Sequence, residues 1–123
     1  MTSQAIEANK KLGLPTDRMR KVLIAFDVDG TLRDNTTSED VIKPNERIRE
    51  LLITLSRFKN VEVLVWSGSG QLYAKQAVRE LGLAPYVKLC MDKKFWQQLN
   101  VDIAIDDIQD TAIGKLNLIV REK

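Results

Sequence analysis

Two aspartates at the end of an apolar run are the residues of this chain best placed to do chemistry. Asp27 and Asp29 follow residues 22–26, which are apolar at every position. Such a run is typical of a strand buried on both faces of a parallel sheet. Side chains two positions apart on a strand point the same way, so both carboxylates can lean into the crevice at its carboxyl end, where α/β sheets bind ligands. Gly30 then lets the chain leave the strand in a conformation that a Cβ would disfavour.

The residue types that the chain lacks narrow the chemistry. The sequence contains no histidine, which excludes a Ser-His-Asp triad, a histidine base and histidine-ligated zinc. It also contains no P-loop sequence. The single cysteine, Cys90, is followed six residues later by Trp96 rather than by the arginine of a cysteine phosphatase, and we interpret it as a small buried side chain in a reducing cytoplasm. Carboxylates, lysines and hydroxyls remain for catalysis.

Apolar periodicity predicts an alternation of strands and helices. The predicted strands are residues 22–26, 61–66, 86–90, 101–105 and 116–120, and the predicted helices are residues 3–13, 44–58, 71–81 and 95–99. Two helices have clear buried stripes, which are Ile48, Leu51, Leu52 and Leu55 in the second helix and Ala74, Ala77, Val78 and Leu81, capped by Gly82, in the third. This alternation predicts a three-layer, Rossmann-like α/β sandwich around a mainly parallel central sheet.

Length and charge indicate one domain over residues 1–123, with a nearly neutral body. The formal net charge is +2, but residues 1–21 hold five basic and two acidic side chains, which leaves −1 for the rest. We interpret residues 1–20 as a basic extension with a short helix. The body gives no general support for nucleic-acid binding, which stays open. The sequence has neither an apolar run of about 18 residues nor an apolar N-terminal signal, so we expect a cytoplasmic protein without a membrane partner.

The strand end has a more specific pattern than a pair of acids. The sequence D-V-D-G-T-L of residues 27–32 resembles the first signature motif of the haloacid dehalogenase superfamily, whose members are mostly magnesium-dependent phosphatases. The resemblance implies that Asp27 is the nucleophile and that Asp29 is the general acid and base. It also implies three further motifs, in order, after later strands.

Hydroxyl and lysine side chains stand where the second and third motifs are expected. Ser67 directly follows the second predicted strand and precedes Gly68, and it resembles the serine that binds the transferring phosphoryl group, with Ser69 as the alternative. Lys93 or Lys94 resembles the lysine of the third motif. A cation is needed there because several carboxylates and a phosphate cannot share a pocket without balancing positive charge. The sequence favours Lys93 only slightly as the one that points inward.

An acidic pair at the end of the fourth predicted strand resembles the last motif. In V-D-I-A-I-D-D, residues 101–107, the resemblance implies that Asp107 is a direct ligand of Mg²⁺ and that Asp106 is a second or water-mediated ligand. The resemblance also implies that Asp27 and the backbone carbonyl of Asp29 bind the same Mg²⁺. Asp110 is spaced one residue short of a common family variant. Four other residues are expected to line the substrate site, namely Gly30, Thr31, Gly68 and Lys94. Thr31 is expected to contribute through the hydrogen bonds of its turn.

Together the motifs predict a Mg²⁺-dependent phosphomonoester hydrolase that acts through an aspartyl-phosphate. The 35 residues between Thr31 and Ser67 are accounted for by one loop and one helix, so no cap domain is expected. An open site would admit small phosphorylated molecules or exposed phosphates of macromolecules; no oligomeric state is predicted. One alternative is a phosphorylation-regulated receiver domain. In a receiver domain the phosphate-accepting aspartate ends a middle strand, whereas that strand ends in Trp66 and Ser67 in this chain. The other alternative is a catalytically weak relative that binds phosphorylated ligands.

Overall fold

The apolar run that precedes the two aspartates forms the innermost strand of a five-stranded parallel sheet. We describe the computed structural model of the chain for Gln4 and residues 21–34, 43–108 and 113–121. The strand order is β3-β2-β1-β4-β5, so β1 pairs with β2 on one side and with β4 on the other. Both faces of β1 are covered by apolar clusters, which explains why the strand carries no alternating polar positions. The predicted α/β fold with a parallel sheet is confirmed.

Regular elements follow one another in the predicted alternation. The strands are β1 (Val22–Asp27), β2 (Val61–Ser67), β3 (Leu89–Asp92), β4 (Ile103–Asp106) and β5 (Leu116–Ile119), and the α-helices are α1 (Glu46–Ser56) and α2 (Gln71–Glu80). Two 3₁₀ helices, Ala84–Tyr86 and Lys93–Gln98, flank β3. The predicted helix at residues 3–13 lies, apart from Gln4, outside the described residues, and so does Asp110.

Both α-helices of the described part pack on the same face of the sheet. The apolar cluster on this face joins Phe26 and Val65 of the strands to Leu52 of α1 and Ala77 of α2. Right-handed crossovers explain the arrangement, because β1 to β2 and β2 to β3 advance in the same direction across the sheet. The connection from β3 to β4 returns past β1 and therefore runs over the opposite face.

The opposite face has its own apolar cluster, and the second 3₁₀ helix packs against it. Trp66 and Met91 are fully buried on this face. Phe95 and Trp96 of the 3₁₀ helix Lys93–Gln98 are partly buried against the cluster. The helix predicted at residues 95–99 is therefore a 3₁₀ helix that begins two residues earlier, and it anchors Lys93 over this side of the sheet.

The predicted strand at residues 86–90 is placed wrongly. Residues Ala84–Tyr86 form a 3₁₀ turn, in which Pro85 occupies one of the first positions, and β3 starts only at Leu89. Proline favours the first turn of a helix and cannot donate to a strand ladder. The backbone N–H of Lys88 makes the first bond toward β2, to the carbonyl of Val63.

The buried stripe of α1 is only partly as predicted. Leu52 is fully buried, but Leu51 is 38% exposed, and Ile53 takes its place in the core. The helix is rotated because Arg49 lies on the inner side, where its Nε donates to the carbonyl of Leu81 at 2.8 Å. In α2, by contrast, all four predicted positions are buried, and Gly82 follows the helix with φ of +69°.

No helix of the described residues has the length and hydropathy needed to cross a bilayer. Cys90 is buried, as expected from the sequence.

Candidate active site at the carboxyl ends of the strands

The sheet has its topological switch point next to β1. The chain leaves β1 toward β2 and later returns to place β4 on the other side of β1. Connections that leave in opposite directions open a crevice at the carboxyl ends of the two strands, which is where α/β sheets bind ligands. Asp27 ends β1, and Asp106 ends β4. The topology therefore brings together two acids that are 79 positions apart in sequence.

Three carboxylates meet in this crevice. Ligand oxygens of Asp27, Asp106 and Asp107 all lie within 4.8 Å of one another, and we call these residues the carboxylate cluster. Asp27 is 8% exposed and Asp106 only 3%. Oxygen donors at this density are the ligands that a hard divalent cation such as Mg²⁺ prefers.

Among the residues that the structure describes, Lys93 is the cation that faces the carboxylate cluster. Its Nζ lies 3.5 Å from Oδ1 of Asp27 and is hydrogen-bonded to Oδ2 of Asp106. Asp92 directs the chain here, because its carboxylate accepts the backbone N–H of Lys94 at 2.9 Å and caps the 3₁₀ helix. The side chain of Lys94 consequently points outward and is 69% exposed, against 14% for Lys93.

The charges of this cluster are not balanced by Lys93 alone. Burial and the neighbouring charges of Asp106 and Asp107 raise the pKa of Asp27 from 3.8 to about 7, although Lys93 acts in the opposite direction. Burial and the contact with Asp106 also raise the pKa of Asp107. A shift of this kind means that the ionised cluster is unfavourable without further positive charge. A divalent cation would supply that charge.

Gly30 makes room for the carboxylate cluster. It has φ of +81°, and a Cβ at this position would overlap the carboxylate of Asp107. Its N–H donates to the carbonyl of Arg33 at 2.8 Å, which closes the turn after β1. Thr31 is fully buried behind this turn; its N–H donates to the carbonyl of Val28, and its hydroxyl has no partner within the described part of the chain. Gly30 thus sets the position of Asp107, while Thr31 supports the turn.

Gly30→Ala is expected to destabilise the fold by about 2–3 kcal/mol, because both the positive φ and the space beside Asp107 are lost. Urea unfolding measures the effect. Gly68→Ala is the matched stability control, since a Cβ there would meet nothing within 4 Å. Equal stability of the two variants would contradict this account of Gly30.

Ser67 lies at the end of β2, one strand away from Asp27. It is 4% exposed, and its Oγ accepts the N–H of Ser69 at 3.0 Å, whereas Ser69 itself is exposed. A surface cleft of about 490 Å³ begins beside it and is lined by Gly68, Asp92, Lys93, Lys94, Trp96 and Ile113. The predicted substrate residues Gly68 and Lys94 therefore share one cleft with Lys93.

Comparison with known proteins assigns neither a family nor a function to this chain. No family model, curated protein or solved structure matches this chain. The resemblance to the haloacid dehalogenase superfamily therefore rests on the sequence motifs alone.

Asp29 is the one predicted acid of the described site that is not part of the carboxylate cluster. Its Oδ1 accepts Nε of Arg33 at 3.0 Å, and its Oδ2 accepts the hydroxyl of Tyr73 at 2.7 Å. β1 ends at Asp27 and the chain turns at once, so Asp29 lies in the turn, where Arg33 and Tyr73 hold its carboxylate.

Sequence reasoning missed Arg33 and Tyr73 as neighbours of the site. Arg33 stands four residues after Asp29 in a turn, which is a spacing without a fixed meaning outside helices. Tyr73 is 44 positions from Asp29 and belongs to the first turn of α2. Only the packing of α2 against β2 and β3 brings its phenol to this turn.

Proposed function

We propose that this protein is a Mg²⁺-dependent phosphomonoester hydrolase that forms an aspartyl-phosphate on Asp27. The convergence of Asp27, Lys93, Asp106 and Asp107 at the switch point of the sheet carries this proposal. These residues come from three different segments, each after a strand, in the order that the haloacid dehalogenase motifs require. We also infer the three-layer arrangement of that superfamily, without a cap domain.

The residues of the carboxylate cluster fit a bound Mg²⁺. Asp27 and Asp107 have raised pKa values in the absence of a cation, as expected for acids gathered to share one. Asp106 already pairs with Lys93, which leaves Asp107 and Asp27 as the more available oxygen donors. When bound, Mg²⁺ would hold Asp27 ionised and offset the negative charge of a phosphoryl group.

In the first step, a carboxylate oxygen of Asp27 attacks phosphorus. The bond between phosphorus and the leaving oxygen breaks, and Asp29 in its protonated form gives that oxygen its proton. Lys93, with Nζ 3.5 Å from Asp27, is placed to stabilise the transferring phosphoryl oxygens. The hydroxyl of Ser67 and the open backbone at Gly68 provide hydrogen-bond donors on the side of β2.

In the second step, water attacks the phosphorus of the aspartyl-phosphate. Asp29, now a carboxylate, takes the proton of this water, and the bond between phosphorus and Asp27 breaks. Inorganic phosphate leaves, Asp27 is restored as a carboxylate, and Asp29 is protonated for the next cycle. One residue thus acts as acid and then as base.

The open cleft is compatible with more than one class of phosphomonoester. Within the described residues, α1 is the element between the turn after β1 and β2, and α2 with a 3₁₀ turn is what separates β2 from β3. Neither would cover the cleft that begins at Gly68. We propose small phosphorylated molecules or exposed macromolecular phosphates as substrates.

The strand order speaks against the receiver-domain alternative. Receiver-type sheets have the order 2-1-3-4-5, whereas this sheet has the order 3-2-1-4-5. In this chain, moreover, the carboxylates and the lysine meet around Asp27 of β1 rather than around an acid at the end of β2 or β3. The alternative of a phosphate-binding protein without turnover is decided by the assay below.

Phosphate release from p-nitrophenyl phosphate and from a panel of alkyl and nucleoside monophosphates tests the proposal. We expect turnover with Mg²⁺, loss of it with EDTA, and recovery when excess Mg²⁺ is added back. Asp107→Asn is expected to raise the Mg²⁺ concentration for half-maximal rate by at least about tenfold, because a ligand of the cation becomes neutral. Absence of turnover with every substrate and divalent metal would refute the hydrolase function, and EDTA-resistant turnover would refute its metal dependence.

A further inference from the structure

Asp29, Arg33 and Tyr73 form a closed ring of hydrogen bonds beside the carboxylate cluster. Arg33 donates from Nε to Oδ1 of Asp29 at 3.0 Å and from Nη2 to the hydroxyl of Tyr73 at 2.6 Å. The hydroxyl of Tyr73 in turn donates to Oδ2 of Asp29 at 2.7 Å. Both oxygens of Asp29 are therefore held by groups from outside the turn's own backbone. We call these three residues the acid ring.

All three nitrogens of Arg33 have a partner in or beside the acid ring. The third nitrogen of Arg33, Nη1, lies 3.3 Å from Oε2 of Glu80, and the guanidinium carbon lies 5.2 Å from the centre of the Tyr73 ring. Burial and the hydrogen bond to Asp29 raise the pKa of Tyr73, so its phenol stays a donor. The side chain of Arg33 is only 14% exposed. These contacts restrict the side-chain torsions of both Arg33 and Tyr73.

The acid ring joins the turn after β1 to helix α2. Tyr73 lies in the first turn of α2, and Glu80 is its last residue. The same helix begins three residues after Gly68, which lines the cleft beside Lys93. A single rigid element thus positions the loop at the phosphoryl group and the two residues that hold Asp29.

We propose that Arg33 and Tyr73 are positioning residues that fix the carboxyl group of Asp29 in the direction of the leaving oxygen. This inference rests on the proposed function, in which Asp29 protonates that oxygen. Neither residue touches the transferring phosphoryl group in this role. Their effect is confined to the step in which a proton reaches the leaving group, and it depends on how much the leaving group needs that proton.

Leaving groups of different basicity separate this role from general structural support. p-Nitrophenolate departs without a proton, whereas the alkoxide of glycerol 2-phosphate does not. The ratio kcat/KM reports events up to the departure of the leaving group and excludes the later hydrolysis of the aspartyl-phosphate, in which Asp29 also acts. The comparison therefore isolates the protonation step.

The test is kcat/KM of Tyr73→Phe for both substrates, relative to the unmodified protein. We expect a decrease of about tenfold for glycerol 2-phosphate and of less than about twofold for p-nitrophenyl phosphate, since one hydrogen bond that orients the acid is lost. Arg33→Lys, which keeps the charge but not the three-way contact, is expected to show the same selective decrease. Tyr86→Phe is the matched control, because Tyr86 lies outside the acid ring, in the 3₁₀ helix before β3.

The outcomes separate this inference from the proposed function. An equal decrease for both substrates in Tyr73→Phe and Arg33→Lys would show a merely structural role and overturn the inference, and so would unchanged values in both variants. In either case the unmodified protein still hydrolyses phosphate esters, and the proposed function stands. If the unmodified protein hydrolyses neither substrate, the function and the inference fail together.

Discussion

Replacement of Asp27 by asparagine is expected to reduce phosphate release at least about a thousandfold while leaving the protein folded. The amide has nearly the shape of the carboxylate but does not form the acyl-phosphate bond on which both steps depend. Asp27 also contributes an oxygen to the carboxylate cluster, so its loss removes charge from the site as well. Steady-state phosphate release with saturating Mg²⁺ measures the effect, and far-UV circular dichroism checks the fold.

Glu50→Gln is the control for a change from carboxylate to amide, because Glu50 is an exposed residue of α1 whose carboxylate lies 3.8 Å from Nη1 of Arg49. Its activity is expected to match that of the unmodified protein. The nucleophile would have to be sought elsewhere if Asp27→Asn retained more than about a tenth of the rate.

The metal-free protein is expected to lose stability as pH rises from about 4 to about 7. The pKa of Asp27 is raised in the fold from 3.8 to about 7, so between these values the folded state holds a proton that the unfolded chain has released. Stability therefore falls with pH through this window and levels off above it. The loss attributable to Asp27 has an upper limit of about 4 kcal/mol, since each unit of pKa shift corresponds to about 1.4 kcal/mol.

Urea unfolding in EDTA, repeated across this pH range, measures the loss. Asp27→Asn should flatten the dependence and should be more stable than the unmodified protein at pH 8, because the buried charge is absent. Added Mg²⁺ should restore the unmodified protein at pH 8 and act much less on the variant. A metal-free stability that does not change between pH 4 and pH 8 would contradict the unbalanced charge assigned to this cluster.

The strands and α2 could be predicted because local pattern and tertiary packing agree there. An all-apolar run leaves β1 no solvent-facing side, and Ala74, Ala77 and Val78 can form only one helical face. In α1 the local pattern and the tertiary packing disagree. The apolar pattern predicts that Leu51 lies on the inner side of the helix, but Arg49 lies there instead. The delayed start of β3 likewise depends on Pro85, whose preference for a helical turn prevails over the apolar residues around it.

The acids of the site could be located from sequence because each directly ends a strand. The carboxyl ends of parallel strands share one edge of the sheet, so Asp27 and Asp106 had to be neighbours once β1 and β4 were adjacent. The orientation of the side chains could be predicted less well from the sequence. The choice between Lys93 and Lys94 depends on the cap that Asp92 provides, and the direction of Asp29 depends on Tyr73, a contact across 44 positions. Such contacts follow from the packing of α2 and have no local signature.

The positions of the two tryptophans give the protein two separate fluorescent reporters. Trp66 is fully buried in β2, in register with Asp27, so its emission should stay blue-shifted until the sheet itself unfolds. Trp96 is partly exposed and lines the cleft beside Lys93, where an occupant would change its surroundings without disturbing the sheet. With either indole replaced by phenylalanine, the remaining one distinguishes occupation of the cleft from loss of the fold in a single titration.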